Sequence, residues 1–306
     1  MFRAIFIALS ESRMLRSVAE RSRIGRRMSG RFVAGMSVEE ALQATAATNS
    51  RGMSVSVDNL GENVTNIDEA RHSAQLYHEM LDAIAARKLN ANVSLKLTHM
   101  GLDVDEAVSR GIASEVVAHA AKLDSFVRID MEGSPYTQKT LDIVRELHGQ
   151  PGNGGHVGAV IQAYLRRSET DVRELCAQGI RIRLCKGAYK EPAEIAFQEK
   201  SEVDANFVEL MKVLLKSGTF HGIATHDPKM IEATIAFARA EKIAPSSFEF
   251  QMLYGVRRDL QEQLVRDGWG MRVYIPFGTE WYPYLMRRLA ERPANAIFIL
   301  KNVFRR

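Results

Sequence analysis

Residues 93–97 read Val-Ser-Leu-Lys-Leu and residues 127–130 read Val-Arg-Ile-Asp. In an extended chain successive side chains point to opposite faces, so Val93, Leu95 and Leu97 share one face while Ser94 and Lys96 share the other. Val127 and Ile129 stand in the same way against Arg128 and Asp130. Ile180, Ile182 and Leu184 alternate with Arg181 and Arg183, and Met271, Val273 and Ile275 with Arg272 and Tyr274. Such alternation is ordinary in an antiparallel sheet with one wet face. The intervening sequence argues against that. Tyr77, Leu81 and Ile84 form one apolar stripe at helical spacing, and Val203, Phe207, Leu210, Met211 and Leu214 form another in the segment after Pro192. Strands that alternate with amphipathic helices belong to a helix-covered parallel sheet, whose polar face then points inward, where charges need partners or a ligand.

Working outward, we place strands at Met53–Val57, Val93–Leu97, Phe126–Asp130, Val157–Gln162, Ile180–Leu184, Phe220–Thr225, Phe248–Gln251 and Met271–Ile275. Each is followed by a helical pattern. The expected fold is α/β, a distorted (β/α)8 TIM-type barrel with additional N-terminal helices; a doubly wound open sheet is the alternative. Residues 1–49 are expected to form a helical arm packed on a catalytic barrel of residues 50–306, in a single domain overall. Lys96, Asp130, Gln162, Arg183, Thr225, His226, Gln251 and Tyr274 fall at or near the C-terminal ends of these strands, the end that carries the active site in barrel enzymes. Cations are expected to predominate in that pocket, which suits an anionic ligand.

The 306 residues carry a formal net charge of +4. Eight arginines (Arg3, Arg13, Arg16, Arg21, Arg23, Arg26, Arg27 and Arg31) face only Glu11 and Glu20 in the first 31 residues. That arm suits a solvated helix or peripheral contact with an anionic membrane. It shows no aromatic interleaving or nucleic-acid motif, so nucleic acid is not an expected partner. No apolar run reaches the length of a spanning helix. Cys176 and Cys185 match no metal or redox spacing, which fits free thiols and a cytoplasmic location.

Lys96 and Lys186 are candidates for a Schiff-base nucleophile or for ion pairs, and Asp130 and Glu62 stand where they could neutralise Lys96. His226 and Asp227 have only His99 to join them, too small a set for a metal centre, so no metal is expected. Tyr284, Arg287 and Arg288 project from one side of the last helix, where two guanidinium forks suit either a small carboxylate or a plain basic surface. The glycine-rich run at residues 149–155 precedes a strand and does not link strand to helix, so it is a turn.

In order, the chain carries S-L-K-L-T at Ser94–Thr98, R-I-D-M-E at Arg128–Glu132, Q-A-Y at Gln162–Tyr164, R-L-C-K-G-A-Y at Arg183–Tyr189, A-T-H-D at Ala224–Asp227, F-E-F-Q-M-L-Y-G at Phe248–Gly255, R-V-Y-I-P-F-G at Arg272–Gly278 and Y-L-M-R-R at Tyr284–Arg288. From about Gly35 to Asn302 the chain resembles the proline dehydrogenase family. The resemblance implies a monofunctional flavoprotein with non-covalent FAD that oxidises L-proline to 1-pyrroline-5-carboxylate in proline catabolism. It also implies electron transfer to a quinone and hand-off of the product to a separate pyrroline-5-carboxylate dehydrogenase. By the same resemblance Arg287 and Arg288 bind the proline carboxylate, with Lys96 beside them and Tyr274 and Tyr284 enclosing the ring. A bulky residue at 284 favours proline over 4-hydroxyproline. Asp130 and Arg183 are the implied catalytic residues, Asp130 supporting the Lys96 side of the site and Arg183 lying against the flavin. Met131, Gln162, Lys186, Gly187, Ala188, Thr225 and His226 line the cofactor site. Cys185 stands where relatives often carry an aliphatic residue and adds an oxidisable thiol.

Overall fold

A computed structural model describes residues 30–291, with side chains through Met286. Eight parallel strands close into a barrel in sequence order: β1 Ser54–Asn59, β2 Ala91–Leu95, β3 Val127–Ile129, β4 Val157–Gln162, β5 Arg181–Cys185, β6 His221–Ala224, β7 Phe248–Leu253 and β8 Met271–Phe277. Strand β8 returns to β1 with Val55 beside Val273 and Asp58 beside Pro276. Closure excludes the open sheet. The connecting helices are α2 Ile67–Ala86, α3 Glu106–Lys122, α4 Ser134–Gly149, α5 Ser168–Ala177, α6 Lys200–Lys216, α7 Pro228–Ala240, α8 Arg258–Arg266 and α9 Trp281–Glu291, and α1 Val38–Asn49 precedes the barrel and packs on β8 and β1.

Several helices start where the sequence supplies a cap. Ser37 and Glu40 form a reciprocal capping box on α1, and Asn66, Asp105 and Asp227 each accept a backbone N–H at the start of α2, α3 and α7. The strand faces divide as the alternation predicts. Val55, Val57, Val93, Leu95, Val127, Ile129, Ile182, Leu184 and Ile223 are fully buried against the helix layer. At about 25 cal/mol per Å² of apolar surface removed from water, burial of this layer is the main favourable contribution to folding.

The interior differs from the branched apolar filling usual in such barrels. It holds Ser56, Ser94, Arg128, Arg183, Glu249 and Gln251, all buried, and half-buried Arg272. Low in the barrel, Arg272 Nε donates to Glu249 Oε1 (2.5 Å) and Arg128 Nη1 donates to the carbonyls of Ala159 and Arg181. The Phe126 ring lies against both the Arg128 and Arg181 guanidiniums, at 4.7 and 4.4 Å from its centroid. Gly222 makes room for this interior, since a Cβ there would stand 2.3 Å from Gln251 Nε2.

His221 faces outward from β6 and is 1% exposed. Its Nδ1 accepts from the Ile182 N–H (3.0 Å) and its Nε2 lies 2.8 Å from Ser217 Oγ. Burial, reinforced by Arg128 and Arg181, pushes its pKa down from 6.5 to about 3. The unfolded chain therefore binds the proton more readily, so this contribution is present above pH 6.5 and is lost as pH falls toward 3. Lowering pH from about 7 to about 4.5 is expected to cost roughly 2–3 kcal/mol through this residue. His221→Asn should flatten that loss in urea unfolding; an unchanged pH slope would assign the loss elsewhere.

Candidate active site

The upper interior, at the C-terminal ends of the strands, is organised by Arg183. Its Nε donates to Gln251 Oε1 (2.6 Å), Nη1 to Asp130 Oδ1 (2.7 Å), and Nη2 to Ser56 and Ser94 Oγ (3.1 and 3.0 Å). Four partners from β1, β2, β7 and the residue after β3 thus fix one planar fork. Tyr274 donates its O–H to the other oxygen of Asp130 (2.9 Å), and its ring centroid lies 5.2 Å from the Arg183 guanidinium carbon. Burial first, then Asp130 and Asp58, push the Tyr274 pKa well above the usual phenol value. It therefore remains a donor at neutral pH.

Lys96 leaves β2 just before a 3-10 turn at Thr98–Met100 and pairs with Asp58, Nζ to Oδ2 at 3.2 Å. Asp130 and Glu62 act on Lys96 as expected, through their charge, but the direct ion pair is with Asp58, which the sequence reading did not single out. Asp130 is bonded to Arg183 and Tyr274, and Asp58, on the neighbouring strand, takes the lysine. Burial alone would depress Lys96, but Asp58, Asp130, Glu62 and Glu132 outweigh it and hold the amine above the ordinary lysine value. The direct Asp58 ion pair and this shift both work against a Schiff-base role for Lys96, since an amine nucleophile has to be neutral. Asp58, 1% exposed, is pushed up by burial and by Asp130 while Lys96 pulls it down. Glu132 is also buried, and accepts from the Thr98 N–H and Oγ (3.2 and 2.6 Å), which holds the turn after Lys96.

Arg183, Gln251 and Tyr274 lie near the strand ends as expected, two or three residues inside them, because β5, β7 and β8 run on to Cys185, Leu253 and Phe277. Among the described groups there, Lys96 and Arg183 are matched by Asp58 and Asp130; the side chains of Arg287 and Arg288 lie outside the described residues.

The chain after β5 supplies the next group. Lys186 pairs with Asp204 of α6 and with Asp227 (2.7 Å), and Lys200 reaches the same two carboxylates. Like Lys96, it serves as an ion-pair partner here. Gly187 has φ +119°, and a Cβ on it would fall 2.2 Å from the Tyr164 ring, so only glycine lets the backbone lie flat there. Gln162 donates to the Glu132 carbonyl and accepts from the Ala188 N–H. Thr225 Oγ1 accepts from the Asp227 N–H, and His226 Nε2 from the Leu253 N–H (3.0 Å), a hydrogen-bonding role as expected. Met131 is buried beside this wall. Among the described residues no His, Cys, Asp and Glu group is arranged to hold a metal ion. Burial pushes Cys185 up to about 12, which keeps its sulfur a thiol, the form less open to oxidation.

Tyr284 is buried on α9 in a separate apolar cluster with Phe32, Val33, Leu60 and Trp281. Arg287 and Arg288 lie on the same helix, but their side chains fall outside the described residues, as does the basic arm before Gly30. Sequence reasoning missed Asp58, Ser56 and the carboxylate role of Glu132, and it gave Ser94 a place on the inward face but no partner. Asp58 lies one residue past the strand placed at Met53–Val57, whereas β1 runs on to Asn59.

The model of the family described as Proline dehydrogenase matches residues 41–301. Proline dehydrogenase 1 of Bacillus subtilis strain 168 is 40% identical over 308 residues, covering 100% of both chains. Proline dehydrogenase of Deinococcus radiodurans is 39% identical over 278 residues, 90% of this chain and 89% of that one. A solved structure of proline utilization A (PutA) from Bdellovibrio bacteriovorus, inactivated by N-propargylglycine, superimposes with a TM-score of 0.84 at 27% identity, covering 98% of this chain and 37% of that one.

Proposed function

The chain belongs to the proline dehydrogenase family of oxidoreductases, and on that premise we propose that it oxidises L-proline to 1-pyrroline-5-carboxylate with non-covalent FAD and passes the electrons to a quinone. The observation that carries this reading is the buried Arg183 fork, locked by Gln251, Asp130, Ser56 and Ser94 in the upper interior of the barrel.

The donor set fits a flavin dinucleotide. A fixed guanidinium stands in the interior, and the exposed backbone at Gly187 lies against the Tyr164 ring beside Ala188, next to Lys186 and Lys200, whose charges are matched by Asp204 and Asp227. Met131, Gln162, Thr225 and His226 complete the wall. When bound, FAD supplies the two-electron acceptor for the hydride that leaves the ring carbon beside nitrogen.

The chain's own groups bind and orient. Lys96, held charged by Asp58, pairs with the substrate carboxylate together with Arg287 and Arg288. Tyr274, and Tyr284 in this reading, enclose the ring. Arg183 offers a preorganised positive charge to the negative charge that develops on the acceptor, and Asp130 fixes its direction. Because the described charges at the mouth balance, the push toward a neutral substrate amine falls to Arg287 and Arg288. The product passes to a separate pyrroline-5-carboxylate dehydrogenase. The protein works in the cytoplasm, and the basic arm brings it to the membrane where quinone resides. Among the described residues no helix is long and apolar enough to cross a membrane.

Arg287→Ala or Arg288→Ala is expected to weaken proline binding by about 2 kcal/mol or more, roughly a thirtyfold rise in Kd. An unchanged Kd would remove the carboxylate clamp. The reaction is tested by supplying proline and a soluble quinone to the flavin-loaded protein. Equimolar loss of proline and quinone is expected, and quinone reduction without proline consumption contradicts the reading.

A further inference from the structure

Strand β5 does not lead directly into α6. Residues 186–199 form an irregular strap between them, with Gly187, Ala188, Tyr189 and Lys190 exposed. Such a segment needs tethers to keep one conformation, because each ordered residue costs about 1–2 kcal/mol of backbone entropy. Its far end is fixed to the chain after β4. The Ile195 carbonyl accepts from the Arg166 N–H, the Ala193 carbonyl from Arg166 Nε, and the Phe197 N–H donates to the Tyr164 carbonyl. Its near end is fixed by the Tyr164 N–H on the Lys186 carbonyl (2.9 Å) and by the Ala188 N–H on Gln162 Oε1 (3.3 Å).

Between these ends stands Glu191. Its carboxylate accepts from the Ser134 N–H at 2.7 Å and from Ser134 Oγ at 2.6 Å, across 57 residues of sequence. Ser134 opens α4, and this helix lacks a cap of its own. Its N-cap is Gly133, which has no side chain, and no acidic residue lies in its first turn. A carboxylate at that position satisfies an orphan N–H and meets the positive end of the helix dipole. The helix therefore draws its cap from the strap, and the strap gains its middle tether from the helix. Gln198 Nε2 closes the loop on itself by donating to the Glu191 carbonyl (3.2 Å).

We infer that Glu191 is a positioning residue. By capping α4 it holds the strap over the segments that follow β3 and β4, and so presets the Lys186–Gly187–Ala188 backbone for the cofactor. This rests on the reading that FAD binds along that backbone, and it adds a residue that touches neither substrate nor flavin.

The test uses full-length, flavin-loaded protein with two readouts: FAD release on dilution, followed by recovery of flavin fluorescence, and trypsin cleavage after Lys190. Glu191→Ala is expected to raise the FAD Kd about tenfold, the size set by losing a charged hydrogen-bond pair, and to speed cleavage after Lys190. Glu191→Gln should regain much of both, since its amide oxygen can still accept from the Ser134 N–H. At saturating FAD, KM for proline should stay at its wild-type value, because the strap is then held by the cofactor. Ser134→Ala, which removes the Oγ donor alone, should move both readouts in the same direction by less, and it serves if Glu191→Ala does not fold. Unchanged cleavage in Glu191→Ala overturns the tether. Faster cleavage with an unchanged FAD Kd overturns its link to the cofactor. Failure of the wild-type protein to take up FAD overturns the cofactor reading, and this inference with it, and is told apart because it appears without any substitution.

Discussion

Arg183→Met is expected to slow anaerobic reduction of the bound flavin by proline by about 10²–10³-fold, the usual cost of removing one preorganised charge or donor from a reacting centre. Proline affinity should change by much less. The substitution removes the guanidinium that joins Gln251, Asp130, Ser56 and Ser94, yet it leaves most of those groups with partners. Asp130 keeps the Tyr274 O–H, Ser56 and Ser94 keep each other at 3.0 Å, and Gln251 keeps Glu249. A folded variant is therefore expected, and the rate effect can be read. Arg183→Lys should fall between, because a lysine carries the charge but cannot span four fixed partners. Equal losses in reduction rate and in proline binding would show that Arg183 stabilises the bound state and the transition state alike, and would remove its catalytic role.

Lys96→Met should have two separable effects. Asp58 is 1% exposed and would keep the Tyr77 hydroxyl at 3.4 Å and the Tyr274 side chain, but no cation in direct contact among the described residues. Stranding such a carboxylate costs about 3–5 kcal/mol of stability. Proline affinity should fall about 10- to 100-fold through loss of the ammonium. The double variant Asp58→Asn with Lys96→Met removes the stranded charge, so it should recover most of the stability and none of the affinity. Recovery of both would mean that Lys96 serves only Asp58 and does not touch substrate.

The barrel itself was legible because a two-residue period survives in β2, β3, β5 and β8 even where the inward face carries arginine, and a helical pattern follows each of the eight strands. Strand extents were less so. β8 passes through Pro276, a residue that reads as a strand end, while its carbonyl accepts from the Ala34 N–H and the strand continues to Phe277. β1 continues through Asp58 and Asn59, two residues beyond the end placed at Val57, in register beside Pro276 and Phe277. Burial depth was the other hidden quantity. Lys96, Asp130, Arg183 and Tyr274 could be placed on one face of their strands from the sequence. Which carboxylate serves which cation depends on barrel closure, which brings Ser56 to Arg183 across 127 residues. The motif residues, Gln251 among them, were thus readable, whereas the partners Asp58 and Glu191 emerge only from packing.

The central claim, that this barrel uses a bound flavin to oxidise proline, is tested most directly by the visible absorption spectrum of the purified, FAD-loaded protein before and after anaerobic addition of L-proline. A yellow oxidised-flavin spectrum that bleaches on addition, with return of the colour when a quinone is admitted, is the predicted result. A flavin spectrum that proline leaves unchanged, or a protein that cannot be loaded with FAD, would contradict it.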